Sequence, residues 1–331
     1  MTNSDIVSFL HRSGLSSGGE TLDIEPLTGG VSSDIWKVTT RGGPVCVKRA
    51  LSKLKTDKEW HAPVERNANE VDWIQTASMI LPNSVPKILA EDGGAGMFAM
   101  SFMEPAEYPV WKEQLRDGII STKTAYAVGD TLGLIHAATA DTASVARRFA
   151  TDDIFHAIRI EPYLLRTAET CDDVAERLIT LARTTAETRR VLVHGDVSPK
   201  NILIGPDGPV IIDAECAWFG DPAFDLAFCL NHLLLKCIWK PTNTASYLSG
   251  YDALASAYLN HISWEPPAKF EARTAELLPG LLLARIDGTS PVEYITSNED
   301  KQIVRRAARR GLNDPPVLLS EFRETFRKEC S

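Results

Sequence analysis

The chain has 331 residues, of which 44% are hydrophobic and 24% are charged, and its formal net charge is −9. These proportions are typical of a globular protein and exclude a disordered, collagen-like or coiled-coil chain. The acidic balance disfavours nucleic acid as a partner, because nucleic-acid binding needs a positive field. The length favours two domains or lobes.

Neither a signal peptide nor a membrane span is expected. The first residues lack a basic segment followed by an apolar core. No stretch of about 18 residues is apolar and uncharged throughout. None of the six cysteines lies in a CxxC motif, which disfavours a zinc site or a thioredoxin-like site. Reduced, buried cysteines of a cytosolic protein are the expected state. We therefore expect a cytoplasmic protein with no membrane or nucleic-acid partner, and the sequence leaves its oligomeric state open.

Short strands and glycine turns dominate the first hundred residues. Alternating apolar residues and turn signals predict strands near residue 25 and at 35–40, 44–48, 88–90 and 97–102. Between the third and fourth of these, apolar residues recur at helical spacing and Pro82 follows, which predicts a helix over about 64–81.

The rest of the chain, from residue 122 onwards, has a mostly helical pattern. Apolar periodicity predicts helices at 125–139, 171–188 and 253–261. One β-rich segment interrupts them, with strands at 191–193, 202–204 and 210–212. The sequence thus predicts an α+β fold with a small β-rich N-terminal lobe, residues 1–103, and a larger, mainly helical C-terminal lobe, residues 104–331.

The densest chemical signal follows the strand at 191–193. That strand leads into His194-Gly195-Asp196, Asn201 comes five residues after the aspartate, and Asp213 ends the strand at 210–212. Phosphoryl transfer needs a carboxylate to orient the acceptor hydroxyl and take its proton, and oxygen ligands to hold Mg²⁺. Asp196 suits the first task, and Asn201 and Asp213 suit the second.

This segment resembles the catalytic and metal-binding loops of the aminoglycoside phosphotransferase and choline kinase family, relatives of protein kinases that phosphorylate small molecules. His194-Gly195-Asp196 lies where protein kinases have His-Arg-Asp, and Asp213-Ala214-Glu215 lies where they have Asp-Phe-Gly. The resemblance implies a protein-kinase-like two-lobe fold. It also implies ATP-dependent O-phosphorylation of a small-molecule hydroxyl acceptor, with ATP and Mg²⁺ as cofactors.

Further motifs follow in the family's order, and such ordered agreement is more specific than any single motif. The resemblance implies that Lys48 contacts the α- and β-phosphates and is aimed by Glu70 or, alternatively, by Glu65. It further implies nucleotide contacts from a phosphate-covering hairpin and, through backbone groups, from the lobe junction. The residues concerned are Gly29, Gly30, Ser32 and Ser33 in the hairpin and Ser101 and Met103 at the junction.

Two residues of the catalytic segment have alternative interpretations. Glu215 either contacts the metal or forms a salt bridge beside it. Lys200, four residues after Asp196, either stabilises the transferred phosphoryl group or is a solvated loop lysine.

Other polar residues are interpreted as parts of the fold. His194 shapes the catalytic turn, His136 is a buried structural histidine, and Asp225 accepts hydrogen bonds from the turn. Asp221 caps the helix that begins at Pro222.

The basic run at 301–310 is interpreted as a surface helix rather than a nucleic-acid site. Acidic residues precede the run, which matches a helix dipole, and Gly311 is expected to end the helix.

The sequence leaves the acceptor open among an aminoglycoside-like antibiotic, an amino alcohol and a sugar. Residues 281–288 and Arg305-Arg306 are similar to the substrate-binding end of 5-methylthioribose kinase, as Asp213-Ala214-Glu215 is to its metal motif. That enzyme, however, departs from the asparagine that this chain keeps as Asn201. ATP and GTP are not distinguished.

The sequence disfavours two other functions. A nucleotide-binding regulatory pseudokinase without turnover would lack Asp196, Asn201, Asp213 or Lys48, and all four are present. A protein kinase would carry an activation segment ending in Ala-Pro-Glu, which this chain lacks.

Overall fold

The computed structural model describes residues 3–27, 33–51 and 66–330. An antiparallel sheet near the N-terminus precedes a mainly helical remainder, so the predicted α+β class is confirmed. The lobe boundary after residue 103 stays a prediction. The strands are β1 (Asp23–Pro26), β2 (Ser33–Thr40), β3 (Gly43–Ala50), β4 (Ile88–Asp92), β5 (Met97–Ser101), β6 (Val191–Val193), β7 (Ile202–Gly205), β8 (Gly208–Ile211) and β9 (Trp218–Gly220).

The helices are α1 (Asn3–Arg12), α2 (Arg66–Ile80), α3 (Trp111–Arg116), α4 (Thr122–Thr139), α5 (Ala143–Arg148), α6 (Asp152–Phe155), α7 (Arg166–Thr170), α8 (Ala175–Glu187), α9 (Pro222–Trp239), α10 (Thr244–Leu259), α11 (Pro267–Asp287), α12 (Asn298–Asn313) and α13 (Leu319–Glu329). A π-helix, His156–Leu165, joins α6 to α7. Short 3₁₀ turns lie at Asp172–Val174, Pro199–Asn201 and Pro241–Asn243. No helix within the described ranges is long and apolar enough to cross a membrane.

The N-terminal sheet has the antiparallel order β1-β2-β3-β5-β4 and is covered on both faces. Successive side chains of a strand point to opposite faces. Val45 and Val47 of β3 therefore pack with α1 on one face, and Cys46 packs with α2 on the other. By the same alternation, Lys48 lies on the α2 face. Sequence periodicity did not predict α1.

The C-terminal core is built around α9, of which nearly every residue is buried. Helices α10 and α11 pack against it, α4 packs on α10, and all of them bury their apolar faces in one continuous core. The run of apolar residues from 223 to 239 thus forms a central helix of a globular core. All six cysteines are unpaired, as expected, and all but the partly exposed Cys330 are buried.

Two short strand pairs, β6–β9 and β7–β8, lie ahead of α9 in sequence and carry the motif residues. In the β7–β8 hairpin Ile202 pairs with Ile211. Just beyond that pair, the amide of Ile212 donates to the carbonyl of Asn201 at 3.0 Å. The hairpin therefore brings Asn201 next to the strand end that carries Asp213.

Two boundaries differ from the sequence prediction. Helix α12 is capped by Ser297, as expected of a capped surface helix, but it continues through Gly311. Gly311 is a packing site rather than a stop, because a Cβ there would lie 2.6 Å from Phe322 Cε2 and 2.7 Å from Pro279 Cγ. Helix α10 begins at Thr244, well before the predicted 253, because buried Tyr247 and Leu248 extend its core face.

The close packing of α4 on α10 gives a test of the fold. A Cβ at Gly129 would lie 2.2 Å from the backbone oxygen of Leu254, and backbone yields less readily than a side chain. Gly129→Ala should lower the free energy of unfolding by about 1–3 kcal/mol through overpacking. Urea unfolding followed by circular dichroism measures this.

Gly250→Ala is the matched control, since it adds the same methyl group to the facing helix. Its Cβ would lie 3.7 Å from Ala125 Cβ, an ordinary contact. The control should leave stability unchanged or raise it by up to about 1 kcal/mol, because alanine favours a helix. Equal stabilities for the two variants would contradict the packing described.

Candidate active site

The turn His194-Gly195-Asp196 follows β6 and is held by Asp225 of α9. The buried carboxylate of Asp225 accepts from the amide of His194 at 2.7 Å and from the amide of Gly195 at 2.8 Å. Gly195 has a φ of +81°, and a Cβ there would lie 2.8 Å from Cys216 Cβ. Glycine is therefore required at this position, and the interpretation of Asp225 as the carboxylate that holds the turn is confirmed.

Both histidines near the turn are structural. Nε2 of His194 contacts the carbonyl of Ile212 at 3.1 Å, and Nδ1 accepts from the amide of Asp196 at 3.1 Å. A ring that donates through one nitrogen and accepts through the other is neutral, and burial lowers the pKa of His194. His136 lies between the hydroxyl of Tyr258, at 2.7 Å, and Asp225, at 3.3 Å.

Asp196 is buried between two cations. Its Oδ2 lies 3.1 Å from Nη2 of Arg159 and 3.1 Å from Nζ of Lys200. Burial alone would raise the pKa of the Asp196 carboxyl, but Lys200 and Arg159 outweigh burial and hold this pKa below its ordinary value. Asp196 is therefore ionised at neutral pH.

Lys200 bends back towards Asp196 although about half of its side chain is exposed. The carboxylate of Asp196 raises the pKa of Lys200. Lys200 is thus a charged partner of the aspartate, and its role in transfer stays a prediction.

Sequence reasoning missed Arg159. This side chain of the π-helix is buried and donates through Nε to the carbonyl of Gly195 and through Nη1 to the carbonyl of Ile158 at 2.6 Å. It therefore holds the carbonyl side of the turn, whereas Asp225 holds its amides. Its one sequence signal is an arginine between two isoleucines, Ile158 and Ile160, in an apolar stretch.

In the N-terminal region, Lys48 of β3 forms ion pairs with Glu70 of α2 and with Asp213. Its Nζ lies 2.6 Å from Glu70 Oε2 and contacts Asp213 Oδ1. Burial would lower the pKa of Lys48, yet Asp213 and Glu70 raise it above its ordinary value. Burial raises the pKa of Glu70 against the opposing field of Lys48. Glu70 is thus the partner of Lys48, and Glu65 lies outside the described residues.

Asp213 has a φ of +69°, which is unusual for a residue with a Cβ. Such a conformation costs about 1–3 kcal/mol and concentrates at functional sites. Burial would raise the pKa of the Asp213 carboxyl, but Lys48 and Lys200 outweigh burial and lower it. The strained backbone places an ionised carboxylate between the two lysines.

Asn201 and Asp213 fit a magnesium site. Asn201 is buried and its Nδ2 donates to the carbonyl of Asp196 at 3.1 Å, so that its amide oxygen points away from that carbonyl. Within the described ranges no group of three or more His, Cys, Asp or Glu residues forms a metal cage. Magnesium bound to a nucleotide needs few protein ligands, because phosphate and water supply the rest. A carboxylate and an amide oxygen are ligands of the required kind.

Glu215 forms the salt bridge that was one of its two interpretations. Its Oε2 lies 3.0 Å from Nε of Arg66 at the start of α2. Asn69, one turn further along α2, donates to the carbonyl of Glu215 at 3.2 Å. The segment after Asp213 is therefore fastened to the helix that carries Glu70.

Of the other residues predicted to contact the nucleotide, the structure describes some and not others. Gly29, Gly30 and Ser32 lie outside the described residues. Ser33 starts β2, and its buried Oγ has no hydrogen-bond partner in the described part of the chain.

At the lobe junction Ser101 ends β5 and donates its amide to the carbonyl of Lys87 at 2.8 Å, so that amide is not free to contact a base. Met103 lies just beyond β5 and is partly exposed.

Comparison with known proteins gives a family match over most of these elements. The model described as "Phosphotransferase enzyme family" matches residues 23–259. Methylthioribose kinase 1 of Oryza sativa subsp. japonica is 22% identical over 252 residues, which cover 65% of this chain and 56% of that protein. The chain thus spans little more than half the length of this relative.

Two solved structures share the fold. Choline kinase from Cryptosporidium parvum Iowa II superposes with a TM-score of 0.59 at 14% identity and covers 97% of this chain and 99% of that one. An aminoglycoside phosphotransferase from Alicyclobacillus acidocaldarius subsp. acidocaldarius DSM 446 gives a TM-score of 0.52 at 16% identity, over 100% of this chain and 96% of that one. The predicted protein-kinase-like fold and family resemblance are confirmed.

The Asp225 contacts predict a specific loss of stability. In Asp225→Asn, one acceptor oxygen is replaced by an NH₂ group that faces a backbone N–H. Leaving a buried donor unpaired costs about 1–3 kcal/mol, so the free energy of unfolding should fall by that amount in urea titrations. The surface variant Asp252→Asn loses only an exposed ion pair with Arg323 and should change stability by about 0–1 kcal/mol. Equal unfolding midpoints would contradict the role of Asp225.

Proposed function

The chain belongs to the phosphotransferase enzyme family, and on that premise we propose that it transfers the γ-phosphoryl group of ATP to a hydroxyl of a small molecule. The observation that carries this proposal is the set of contacts around Asp196. The aspartate is ionised, buried, and paired with Lys200 and Arg159. A second charged group, formed by Lys48, Glu70 and Asp213, completes the phosphate side of the site.

Each charged residue has one task in this reaction. Lys48, aimed by Glu70, contacts the α- and β-phosphates. Asn201 and Asp213 would hold Mg²⁺, which when bound would neutralise charge on the phosphates. The family resemblance further implies that Gly29, Gly30, Ser32 and Ser33 would cover the phosphates and that backbone groups of Ser101 and Met103 would face the base. Glu215 supports this site through its salt bridge rather than through metal contact.

Asp196 acts on the acceptor. With Oδ2 held by the two cations, Oδ1 accepts a hydrogen bond from the acceptor hydroxyl and takes its proton. A bond forms between the hydroxyl oxygen and the γ-phosphorus, and the bond from that phosphorus to the bridging oxygen breaks, which releases ADP. Lys200, beside Asp196, faces the transferred group as its charge redistributes.

Two alternatives receive less support. A pseudokinase without turnover would not need the Lys48–Glu70 ion pair together with an ionised Asp196. A protein kinase would need the activation segment that is missing from the sequence. A cytoplasmic location is supported by the six unpaired cysteines.

Asp196→Asn tests the proposal. The amide cannot take the acceptor proton, so kcat should fall roughly 10²–10⁴-fold, the usual scale for loss of a general base. Binding of Mg·ATP should stay within twofold, because Asp196 does not face the nucleotide in this mechanism. ADP release under steady-state conditions gives kcat, and calorimetry gives ATP affinity. A near-normal kcat would remove Asp196 from this role.

The Lys200–Asp196 contact predicts a change in pH dependence. Lys200→Ala removes the first of the two cations that lower the pKa of Asp196. That pKa should therefore rise, and since the base must be ionised, the acidic limb of the kcat profile should move to higher pH. We also expect kcat and kcat/KM to fall by similar factors, with KM for ATP little changed. Lys200→Arg should recover little activity, because a planar guanidinium differs in shape from an ammonium.

A lysine that lay in solvent would give a different result. Both variants would then show parental rates and an unshifted acidic limb. That outcome would overturn the catalytic role of Lys200 and leave the role of Asp196 untouched.

A further inference from the structure

A group of basic side chains, of which His232 and Lys236 are buried and Arg285 and Lys112 are partly exposed, lies next to the catalytic turn, and the mechanism above does not use it. We call it the basic cluster and define it as His232 and Lys236 of α9, Arg285 of α11 and Lys112 of α3. Phe228 and Tyr163 connect it to the turn. The guanidinium of Arg159 lies 6.0 Å from the ring of Phe228 and 5.7 Å from the ring of Tyr163.

From these two rings the contacts continue into the cluster. The ring of His232 lies 5.3 Å from that of Phe228. Nη1 of Arg285 donates to the hydroxyl of Tyr163 at 3.2 Å. The basic cluster is therefore one layer of side chains away from Arg159 and Asp196.

Three polar atoms of the cluster lack partners in the described part of the chain, although Nη1 of Arg285 also donates to the carbonyl and the hydroxyl of Ser290 at 2.5 and 3.0 Å. Lys236 is fully buried, and its Nζ has no hydrogen-bond partner among the residues described. The same holds for Nε2 of His232, which is 7% exposed, and for Nε of Arg285. A buried cation without hydrogen bonds is strongly destabilising. The free-energy cost of burying Lys236 without a hydrogen bond would be offset if a bound ligand accepted that hydrogen bond.

Aromatic faces give Lys236 partial compensation. Its Nζ lies 3.9 Å from the centre of the Tyr294 ring and 4.9 Å from that of Trp239. Such rings would attract an ammonium group of a ligand, but here the protein's own lysine occupies them. The arrangement therefore disfavours a cationic acceptor.

The charges that face the cluster are mainly positive. Lys236 faces Arg285 and the ion pair of Lys112 with Glu293. His232 faces Arg285, Lys236, Lys200 and Lys112. Since Glu293 is paired with Lys112 and Asp196 with Lys200 and Arg159, Lys236 and Arg285 have no carboxylate of their own within the described ranges.

We propose that the basic cluster binds an anionic group of the acceptor, a carboxylate or a phosphate, while Asp196 receives the acceptor's hydroxyl. This inference rests on the proposed function and narrows it. The acceptor is a hydroxyl compound that carries an acid group, such as a sugar acid or a sugar phosphate. Aminoglycosides and amino alcohols are excluded, because their cationic groups would meet the like charges of Lys236 and Arg285.

The electrostatics of Lys236 give the proposal a pH signature. Burial and the neighbouring Lys112 lower the pKa of Lys236 to about 7. The charged form attracts an anion and the neutral form does not, so acceptor binding should favour proton uptake. The acceptor KM should therefore stay level below pH 7 and increase as the pH rises above it.

The experiment begins with binding. Thermal unfolding of the protein with Mg·ADP is measured in the presence of sugar acids, sugar phosphates, neutral sugars, amino alcohols and aminoglycosides. At least one anionic compound should raise the Tm of the parent and not that of Lys236→Met. Lys240→Met is the matched control, because Lys240 lies 5.4 Å from the same Trp239 ring but outside the cluster, and it should respond like the parent.

Kinetics with the same panel follow, read as ADP release. Anionic hydroxyl compounds should be phosphorylated at least tenfold more efficiently, in kcat/KM, than their neutral counterparts. Lys236→Met should raise the KM of the anionic acceptor at least tenfold and change the KM of ATP less than twofold. The carboxylate and phosphate arms of the panel distinguish the two kinds of anion.

The outcomes separate this inference from the proposed function. Preferred phosphorylation of a neutral or cationic acceptor, with a KM that Lys236→Met leaves unchanged, would overturn the anionic acceptor and leave the kinase activity in place. Stabilisation by an anion in the parent alone, without ADP release for any compound, would support the anion site and contradict the kinase activity. Absence of any anion-dependent Tm shift would overturn the anion site.

Discussion

The hydrogen bonds of one buried carboxylate, Asp225, set the position of the catalytic turn. A carboxylate without access to water must receive its hydrogen bonds from the protein. Asp225 receives them from the amides of two successive residues, His194 and Gly195. This pairing depends on the positive φ of Gly195. Since Asp225 belongs to the most deeply buried helix of the core, the turn and α9 form one rigid unit, and Asp196 is positioned by that unit.

Charges of alternating sign extend from this unit across the site. Lys48, Asp213, Lys200, Asp196 and Arg159 follow one another, so each aspartate faces a cation on both sides. This order keeps both carboxylates ionised and holds their pKa values low. A carboxylate of low pKa is a weak base. In the proposed reaction Asp196 would therefore act mainly by orienting the hydroxyl and would take the proton late, as the bond to phosphorus develops, which suits a loose phosphoryl-transfer transition state.

Sequence reasoning succeeded where the determining interactions are local. The strands of the N-terminal sheet and the β7–β8 hairpin follow from alternation and glycine turns, and the hairpin alone brings Asn201 and Asp213 together. The order of the family motifs predicts that Lys48 of β3 pairs with Glu70 of α2. In the structure Nζ of Lys48 lies 2.6 Å from Oε2 of Glu70.

Long-range contacts escaped prediction. Arg159 meets Asp196 from 37 positions away in the chain, across an irregular π-helix that no periodicity indicates. Arg66 meets Glu215 between two lobes. A glycine near the end of a helical pattern predicts the end of the helix. At Gly311 the glycine instead allows α12 to pack closely on Phe322 and Pro279, which are distant in sequence.

The geometry of α9 connects chemistry with selectivity. Phe228, His232 and Lys236 follow Asp225 at three, seven and eleven residues, a spacing that keeps one face of a helix in line. At a rise of 1.5 Å per residue, His232 and Lys236 lie about 10 and 16 Å along the axis from Asp225. The base is clamped near the N-terminus of the helix, and the basic cluster projects from later turns. On the proposed assignments, substitutions at those later turns would change which acceptor group is bound without displacing Asp196, because the two sets of contacts leave α9 at different turns.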